Sequence, residues 1–166
     1  MQLPLSTAVA ARLDVVEATG STNADLRAHA SDVWGWPDLS VLVTDDQTAG
    51  RGRLDRTWIA PAGTSLAISV LLRTLPDSPD AVGWIPLIAG VAMADAVAAQ
   101  LPGRDVGVKW PNDVLVEGRK ISGILAEMVD GTVIVGSGVN TRMTELDLPV
   151  PTAKGIFATT LAGKEN

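Results

Sequence analysis

The sequence predicts an α+β domain: a mixed β-sheet backed by helices. Helical patterning lies in the earlier part of the chain, most clearly over residues 84–101. From residue 106 onward the pattern is β, in short runs at 106–110, 114–116, 121–128 and 132–139. The connections between those runs are too short for crossovers, so they imply antiparallel hairpins.

Each element has a local reason. Leu13-Asp14-Val15-Val16-Glu17 reads as a short first strand. Ser21-Thr22-Asn23 then opens a helix that continues through Ala28, and Thr22 and Asp25 have the spacing of a capping box, with Asp in place of Glu. Trp36-Pro37-Asp38 marks a loop. The β-branched run 40–44 is a buried strand. Across 45–61 neither a period of 2 nor one of 3.6 survives, so the segment reads as a long loop, and loops of that length are usually functional. Leu66, Ile68, Val70 and Leu72 alternate as a strand, and a turn follows at 76–80. In the 84–101 helix, Trp84, Leu87, Ile88, Val91, Ala94, Ala98 and Leu101 form the expected inward stripe, ended by Pro102-Gly103. Glu117-Gly118-Arg119 and Asp130-Gly131 are the expected tight turns. The segment after Pro149-Val150-Pro151 has weak apolar content. The expected division is therefore a domain over 1–152 and an atypical tail over 153–166.

Composition narrows the chemistry. An apolar share of 46% and a charged share of 19% in 166 residues fit one globular domain. A net charge of −6 makes nonspecific nucleic-acid binding a poor expectation, because that binding runs on phosphate neutralisation. There is no cysteine, and His29 stands alone, so thiolate sites, a His-rich zinc site and Cys or Ser–His nucleophiles have no basis. What remains is chemistry by positioning and charge stabilisation. The N-terminus does not read as a signal peptide. The longest apolar stretch, 84–94, falls short of the about 20 residues a bilayer needs. The expectation is a cytoplasmic protein with no membrane partner.

Five pieces of sequence carry candidate chemistry. Gly50-Arg51-Gly52-Arg53, with Arg56 behind, combines exposed backbone N–H groups with guanidinium forks suited to phosphate; alone it also reads as a solvated basic turn. Lys109-Trp110-Pro111-Asn112-Asp113 offers a lysine for phosphate, and an amide and a carboxylate for a magnesium ion, or else an ordinary turn. In Arg119-Lys120-Ile121-Ser122-Gly123-Ile124 the glycine marks a bulge or a close backbone approach, and the lysine tips a hairpin. Gly136-Ser137-Gly138-Val139-Asn140 could let a flat ring lie on the backbone with Asn140 at its edge. Ser21-Thr22-Asn23 offers a polar head group donors and acceptors, and is equally a plain helix cap.

In this order and spacing the five pieces, with Gln47-Thr48-Ala49 before the first and Leu125-Ala126-Glu127 after the third, resemble the biotin–protein ligase family over about residues 13–152. The resemblance implies a fold like that of class II aminoacyl-tRNA synthetases. It implies adenylation of biotin by ATP to biotinyl-AMP, then transfer of biotin to a lysine of a biotin carboxyl carrier protein domain, with Mg²⁺ assisting. It also implies roles. Ser21, Thr22, Asn23 and Gln47 would meet the ureido ring, and Arg51, Gly52 and Arg53 would close over the phosphate. Lys120 would hold the carboxylate and α-phosphate. Lys109, Asn112 and Asp113 would handle ATP, with Asp113 on the metal. Gly123 belongs to the nucleotide site, Asn140 would approach adenine and Trp58 would pack on it. The catalytic set is thus Arg51, Arg53, Lys109, Asp113 and Lys120.

Three departures from the family accompany the match. Asp55 stands where many members carry glycine. No DNA-binding helical domain is expected before residue 13. The family's C-terminal helices and small β-barrel are expected to be missing after Asn140. A lipoate or octanoyl ligase and a non-catalytic biotin-binding module are the alternatives, and a homodimer is left open.

Overall fold

The computed structural model describes residues 2–144, 146–147 and 155; the expected tail boundary at 153 lies outside them. Among these residues nine strands form: β1 (Arg12–Val15), β2 (Ser40–Thr44), β3 (Gly50–Arg51), β4 (Thr57–Trp58), β5 (Ser65–Leu72), β6 (Val106–Lys109), β7 (Asp113–Val116), β8 (Arg119–Val129) and β9 (Thr132–Asn140). Seven of them make one sheet in the order β1-β2-β5-β9-β8-β7-β6. Only β1 and β2 run parallel, joined through a helix; every other strand pair is antiparallel, and for β6-β7-β8-β9 the short connections require it. The sheet is therefore mixed, as expected. Both predicted tight turns have two successive left-handed residues, Glu117-Gly118 at φ 51° and 76° and Asp130-Gly131 at φ 48° and 73°.

Helices cover both faces of this sheet. On one side α2 (Thr22–Ala28) seats Leu26 against Leu42, Leu71 and Ile134, with Trp36 closing the cluster. On the other, α4 (Ile85–Gln100) seats Ala94 and Val97, followed by Leu101, against Val114, Val116, Ile121 and Val139. Leu71 is fully buried, so truncation to alanine there would cost about 2–5 kcal/mol. The alternation expected in β5 is present, but the deepest burial falls on Ser65, Ala67, Ser69 and Leu71. Those small side chains leave room for α2, whereas Leu66, Ile68, Val70 and Leu72 are half-buried on the opposite face.

Several expectations are corrected. The inward stripe of α4 is one: Ala94 and Leu101 are buried as expected, but Trp84, Ile88 and Val91 are 61%, 63% and 52% exposed, and Gly90 and Val97 are buried instead. The helix is apolar nearly all round, so periodicity does not select a face. Small residues win the contact because a Cβ at Gly90 would already lie 3.4 Å from Val108 Cγ1. Short helices occupy α1 (Pro4–Val9) and α3 (Pro79–Val82), the second where a turn was expected. Pro79–Gln100 is long and apolar enough to cross a membrane by length and composition, contrary to the stretch-length argument; its inner face nevertheless packs on β6, β7, β8 and β9. The capping box is replaced. Ser21 is the N-cap, accepting from the Ala24 amide at 3.4 Å, and Asp25 accepts from the Thr19 hydroxyl.

Arg73 anchors the far end of α2. It donates from Nε to the Trp36 carbonyl at 2.8 Å and from Nη1 to that of Ala30 at 2.8 Å. Asp38 accepts the Arg73 amide at 2.7 Å. The Trp36 indole is stacked with His29, 4.3 Å between centroids, and lies 3.7 Å from the Arg12 guanidinium carbon. His29 thus has a packing role against Trp36.

Candidate active site

The floor of the site follows from the strand period. Side chains alternate along β9, so Ile134, Gly136 and Gly138 share one face. Ile134 packs under α2, and the two glycines leave a trough beyond it. The trough is occupied by the protein's own groups. A Cβ at Gly136 would sit 2.8 Å from Asn23 Cγ, and one at Gly138 would sit 2.6 Å from Trp58 Cε2. The flat ring against this backbone is the indole of Trp58. Its Nε1 is buried with no partner among the described residues.

A β-bulge turns the lysine of β8 into the site. Val114 pairs with Ser122 and Leu115 with Lys120, so Ile121 is the extra residue. Without that insertion Lys120 would point to the α4 face, because a one-residue slip flips a side chain across the sheet. With it, Lys120 shares the face of Asp113 and Gly123. Its Nζ lies 2.7 Å from Asp113 Oδ1, directly over Gly123, where a Cβ would come within 3.1 Å of it. The strand glycine thus marks a close approach by Lys120, while the bulge falls two residues earlier.

The segment expected to be an irregular loop contains a hairpin. Gly50 pairs with Trp58 and Arg51 with Thr57. At its tip Leu54 and Asp55 are both left-handed, at φ 55° and 57°. This is the geometry of a type I′ turn, made without glycine, and it explains why glycine would suit position 55. The flap is tied down twice. Arg51 Nη2 lies 2.9 Å from Glu127 Oε2, and Arg53 Nη1 donates to Asn112 Oδ1 at 3.2 Å. The Asn112 amide also donates to the Ile124 carbonyl at 3.0 Å.

The polar end of the site sits at the N-terminus of α2. Gln47 Oε1 accepts the Thr22 amide at 3.0 Å, and the Ser69 hydroxyl donates to Asn23 Oδ1 at 2.6 Å. Asn23 Nδ2 donates to Glu127 Oε2 at 2.8 Å and to the Leu125 carbonyl at 3.2 Å. Asn23 is 4% exposed, so its amide is committed inside the protein rather than held free for a ligand.

These parts enclose one cavity of about 410 Å³, within the usual range for small-molecule sites. Ser21, Thr22, Asn23, Gln47, Arg51, Gly52, Arg53, Trp58, Lys109, Asn112, Asp113, Lys120 and Gly123 all line it. Asn140 does not: it is 3% exposed, pairs across the sheet with Ser65 and lies off the cavity wall. Arg51, Arg53, Arg56, Lys109 and Lys120 meet in the lining with Asp113 as the carboxylate among them. In a chain of net charge −6 this is a concentrated positive pole, fitted to a polyanion. No group of three metal-ligating side chains occurs among the described residues. A single carboxylate suits a magnesium ion carried mainly by nucleotide phosphates, not a resident protein-held metal. Glu127 is the residue that sequence reasoning gave no role; its place on β8, on the face of Gly123 and Leu125, was the available signal.

Comparison with known proteins bears on this geometry. Over 134 residues the chain is 46% identical to the biotin–[acetyl-CoA-carboxylase] ligase of Mycobacterium tuberculosis, covering 78% of this chain and 49% of that protein. It is 34% identical over 142 residues to the bifunctional ligase/repressor BirA of Bacillus subtilis, covering 82% and 41%. The chain thus spans about half the length of the curated relatives it matches. Among solved structures, it resembles the Leishmania major biotin protein ligase in complex with biotin, at TM-score 0.79 and 28% identity, covering 93% of this chain and 66% of that one. It also resembles the Aquifex aeolicus enzyme in complex with biotin and ATP, at TM-score 0.75 and 30% identity, covering 90% and 61%. A model of the biotin/lipoate A/B protein ligase family matches residues 15–140, a span that holds every cavity-lining residue and all of the sheet except most of β1. On sequence, fold and site together, the chain belongs to the biotin/lipoate A/B protein ligase family.

Proposed function

We propose that this cavity adenylates biotin and hands it to a carrier lysine. In the first half-reaction a biotin carboxylate oxygen attacks the α-phosphorus of ATP. The bond to the bridging oxygen of the β-phosphate breaks, and pyrophosphate leaves. In the second, the amine of a lysine on a biotin carboxyl carrier protein domain attacks the acyl carbon. AMP leaves, and the amine gives up its proton to solvent. The observation that carries the reading is the convergence of Arg51, Arg53, Arg56, Lys109 and Lys120 on one cavity that has a hydrogen-bonding end at Thr22 and Gln47.

Each residue has a task in that scheme. Ser21, Thr22 and Gln47 orient the ureido ring, with Asn23 behind them. Lys120, fixed by Asp113, holds the carboxylate against the α-phosphate and stabilises the charge that grows in the transition state. Arg51, Gly52 and Arg53 cover the mixed anhydride, and exclusion of water protects it from hydrolysis. Lys109 and Asn112 meet the outgoing phosphates. Asp113 would hold Mg²⁺, which when bound supplies further neutralisation of the pyrophosphate. Trp58 covers the glycine floor on which the adenylate would lie. The partner is a carboxylase's carrier domain, and the setting is the cytoplasm.

The test is pyrophosphate release from MgATP with biotin, lipoate or octanoate, followed by mass spectrometry of a carrier domain. A gain of one biotinyl group on the carrier is expected. Preference for lipoate or octanoate would move the chain to the other branch of the family. Binding of biotin without pyrophosphate release would make it a binding module.

A further inference from the structure

One ionised side chain beside the cavity has no part in this chemistry. Glu127 lies on β8 with its side chain 15% exposed, and it is absent from the lining of the main cavity. Its two oxygens take three donors. Oε1 accepts from Arg27 Nη2 at 2.6 Å; Oε2 accepts from Arg51 Nη2 at 2.9 Å and from Asn23 Nδ2 at 2.8 Å. Arg27 and Asn23 belong to α2, and Arg51 to the flap.

The contacts continue past Glu127. Asn23 accepts from Ser69, whose hydroxyl oxygen is 2.7 Å from that of Thr22, and Thr22 donates its amide to Gln47. Gln47 stands just before the flap strand that carries Arg51. The hydrogen-bonded circuit therefore starts and ends in the same loop, passing through the polar end of the cavity. Glu127 supplies its only formal negative charge, and the link to Arg51 depends on it. Backbone bonds from the Thr48 amide to the Thr19 carbonyl at 2.9 Å and from the Ala49 amide to the Gly20 carbonyl at 2.7 Å fix the base of the loop beside α2. Glu127 adds the side-chain tie further out, at Arg51, and charge-assisted hydrogen bonds are about twice as strong as neutral ones.

We propose that Glu127 is a positioning residue that keeps the flap in register with the head-group end of the cavity. It touches neither reactant; it sets where Arg51 stands relative to Asn23, while Gln47 is held beside Thr22 by the backbone of its own segment. Naming the acid as biotin rests on the ligase reading, but the coupling itself rests on the chain's own contacts. Lys120 and Asp113 lie outside the circuit and Arg51, which covers the anhydride, lies within it, so cutting the circuit should act on biotin binding and adenylate retention more than on the step that Lys120 stabilises.

The experiment uses the full chain carrying Glu127→Gln, Glu127→Ala or Arg27→Ala. Loss of one charge-assisted hydrogen bond corresponds to about a tenfold change in an equilibrium constant. In Glu127→Gln, KM for biotin is therefore expected to rise about tenfold, with a similar gain in the escape rate of biotinyl-AMP. Its kcat at saturating biotin is expected to stay within about twofold of the parent. Arg27 is 46% exposed and screened, so Arg27→Ala should move KM by less than about twofold. Hydrogen exchange on the empty protein supplies the readout that needs no substrate. In Glu127→Gln, amides at 50–58 and 22–26 should lose protection together while 106–109 keep theirs. Unchanged exchange at the flap in Glu127→Ala would overturn the proposal, as would a loss of protection spread evenly over the sheet. A fall in kcat at unchanged KM would do the same. Failure of the parent to make biotinyl-AMP would instead defeat the ligase reading, and the exchange data would still decide the coupling.

Discussion

Gly136→Ala is the sharpest test of how the site is assembled. The added Cβ would lie 2.8 Å from Asn23 Cγ and 3.0 Å from Nδ2, against a comfortable separation of about 3.5–4.0 Å. Asn23 must then retreat by nearly 1 Å, which breaks bonds that stand at 2.6, 2.8 and 3.2 Å. One of the three goes to a carboxylate, worth about 1.5–3 kcal/mol, and two are neutral, worth about 0.5–1.5 kcal/mol each. At 4% exposure water cannot replace them. The lost freedom of the unfolded chain returns about 0.4–1 kcal/mol. A net loss of about 3 kcal/mol follows, a large share of the about 5–15 kcal/mol that holds a domain folded. Urea denaturation followed by tryptophan fluorescence should show the midpoint falling by about 1–2 M. Asn23→Ala removes the obstructing atoms, so adding Gly136→Ala to that variant should cost little, a coupling visible in a double-mutant cycle. Gly107→Ala is the control, since a Cβ there meets nothing within 4 Å. A Gly136→Ala protein as stable as the parent, or one not rescued by Asn23→Ala, would refute the packing argument.

Other perturbations test separate parts. Lys120→Ala should lower adenylate formation by at least about a hundredfold, since a charge placed on the developing anion is worth about 3 kcal/mol, while biotin binding measured by calorimetry persists. Arg73→Ala strips two 2.8 Å charged bonds from the carbonyls of Ala30 and Trp36 and should cost about 3 kcal/mol in denaturant melts, with Arg73→Lys recovering only part. Burial pushes the Asp38 carboxyl up, but hydrogen bonds from the Arg73 and Thr74 amides outweigh it and hold it below the usual range. Its contribution to stability is therefore complete above the unfolded value near about 3.9 and is lost as pH falls through the lower folded value. Asp38→Asn should flatten the acid limb of stability against pH between those two points, as read by thermal melts.

What the sequence disclosed was what local chemistry controls. Asp130-Gly131 and Glu117-Gly118 are turn signals in themselves, and the runs around them could only be hairpins. On composition alone the cationic and small polar motifs read equally as turns and caps; their order and spacing, through the family resemblance, assigned the roles, and thirteen of the fourteen residues so assigned line one cavity. Long-range geometry stayed hidden. Nothing local says that Ile121 is inserted and so swings Lys120 to the cavity face. The flap hairpin was missed because its tip residues, Leu54 and Asp55, are left-handed without glycine to flag them. Glu127 meets Arg27, Arg51 and Asn23 across separations of 100, 76 and 104 positions, beyond any periodicity. Asn140 looked like part of a ligand motif, yet it lies off the cavity wall.

The placing of β9 has a kinetic consequence. The last strand among the described residues sits in the middle of the sheet, between β5 and β8. While the chain is being made, β5 must wait with one edge unpaired until residues 132–140 emerge. So many distant pairings close late that assembly should be slow for a chain of this size. Interruption of synthesis before residue 132 leaves an open, adhesive edge and no cavity, and the ribosome must deliver almost the whole matched span before any of the site exists.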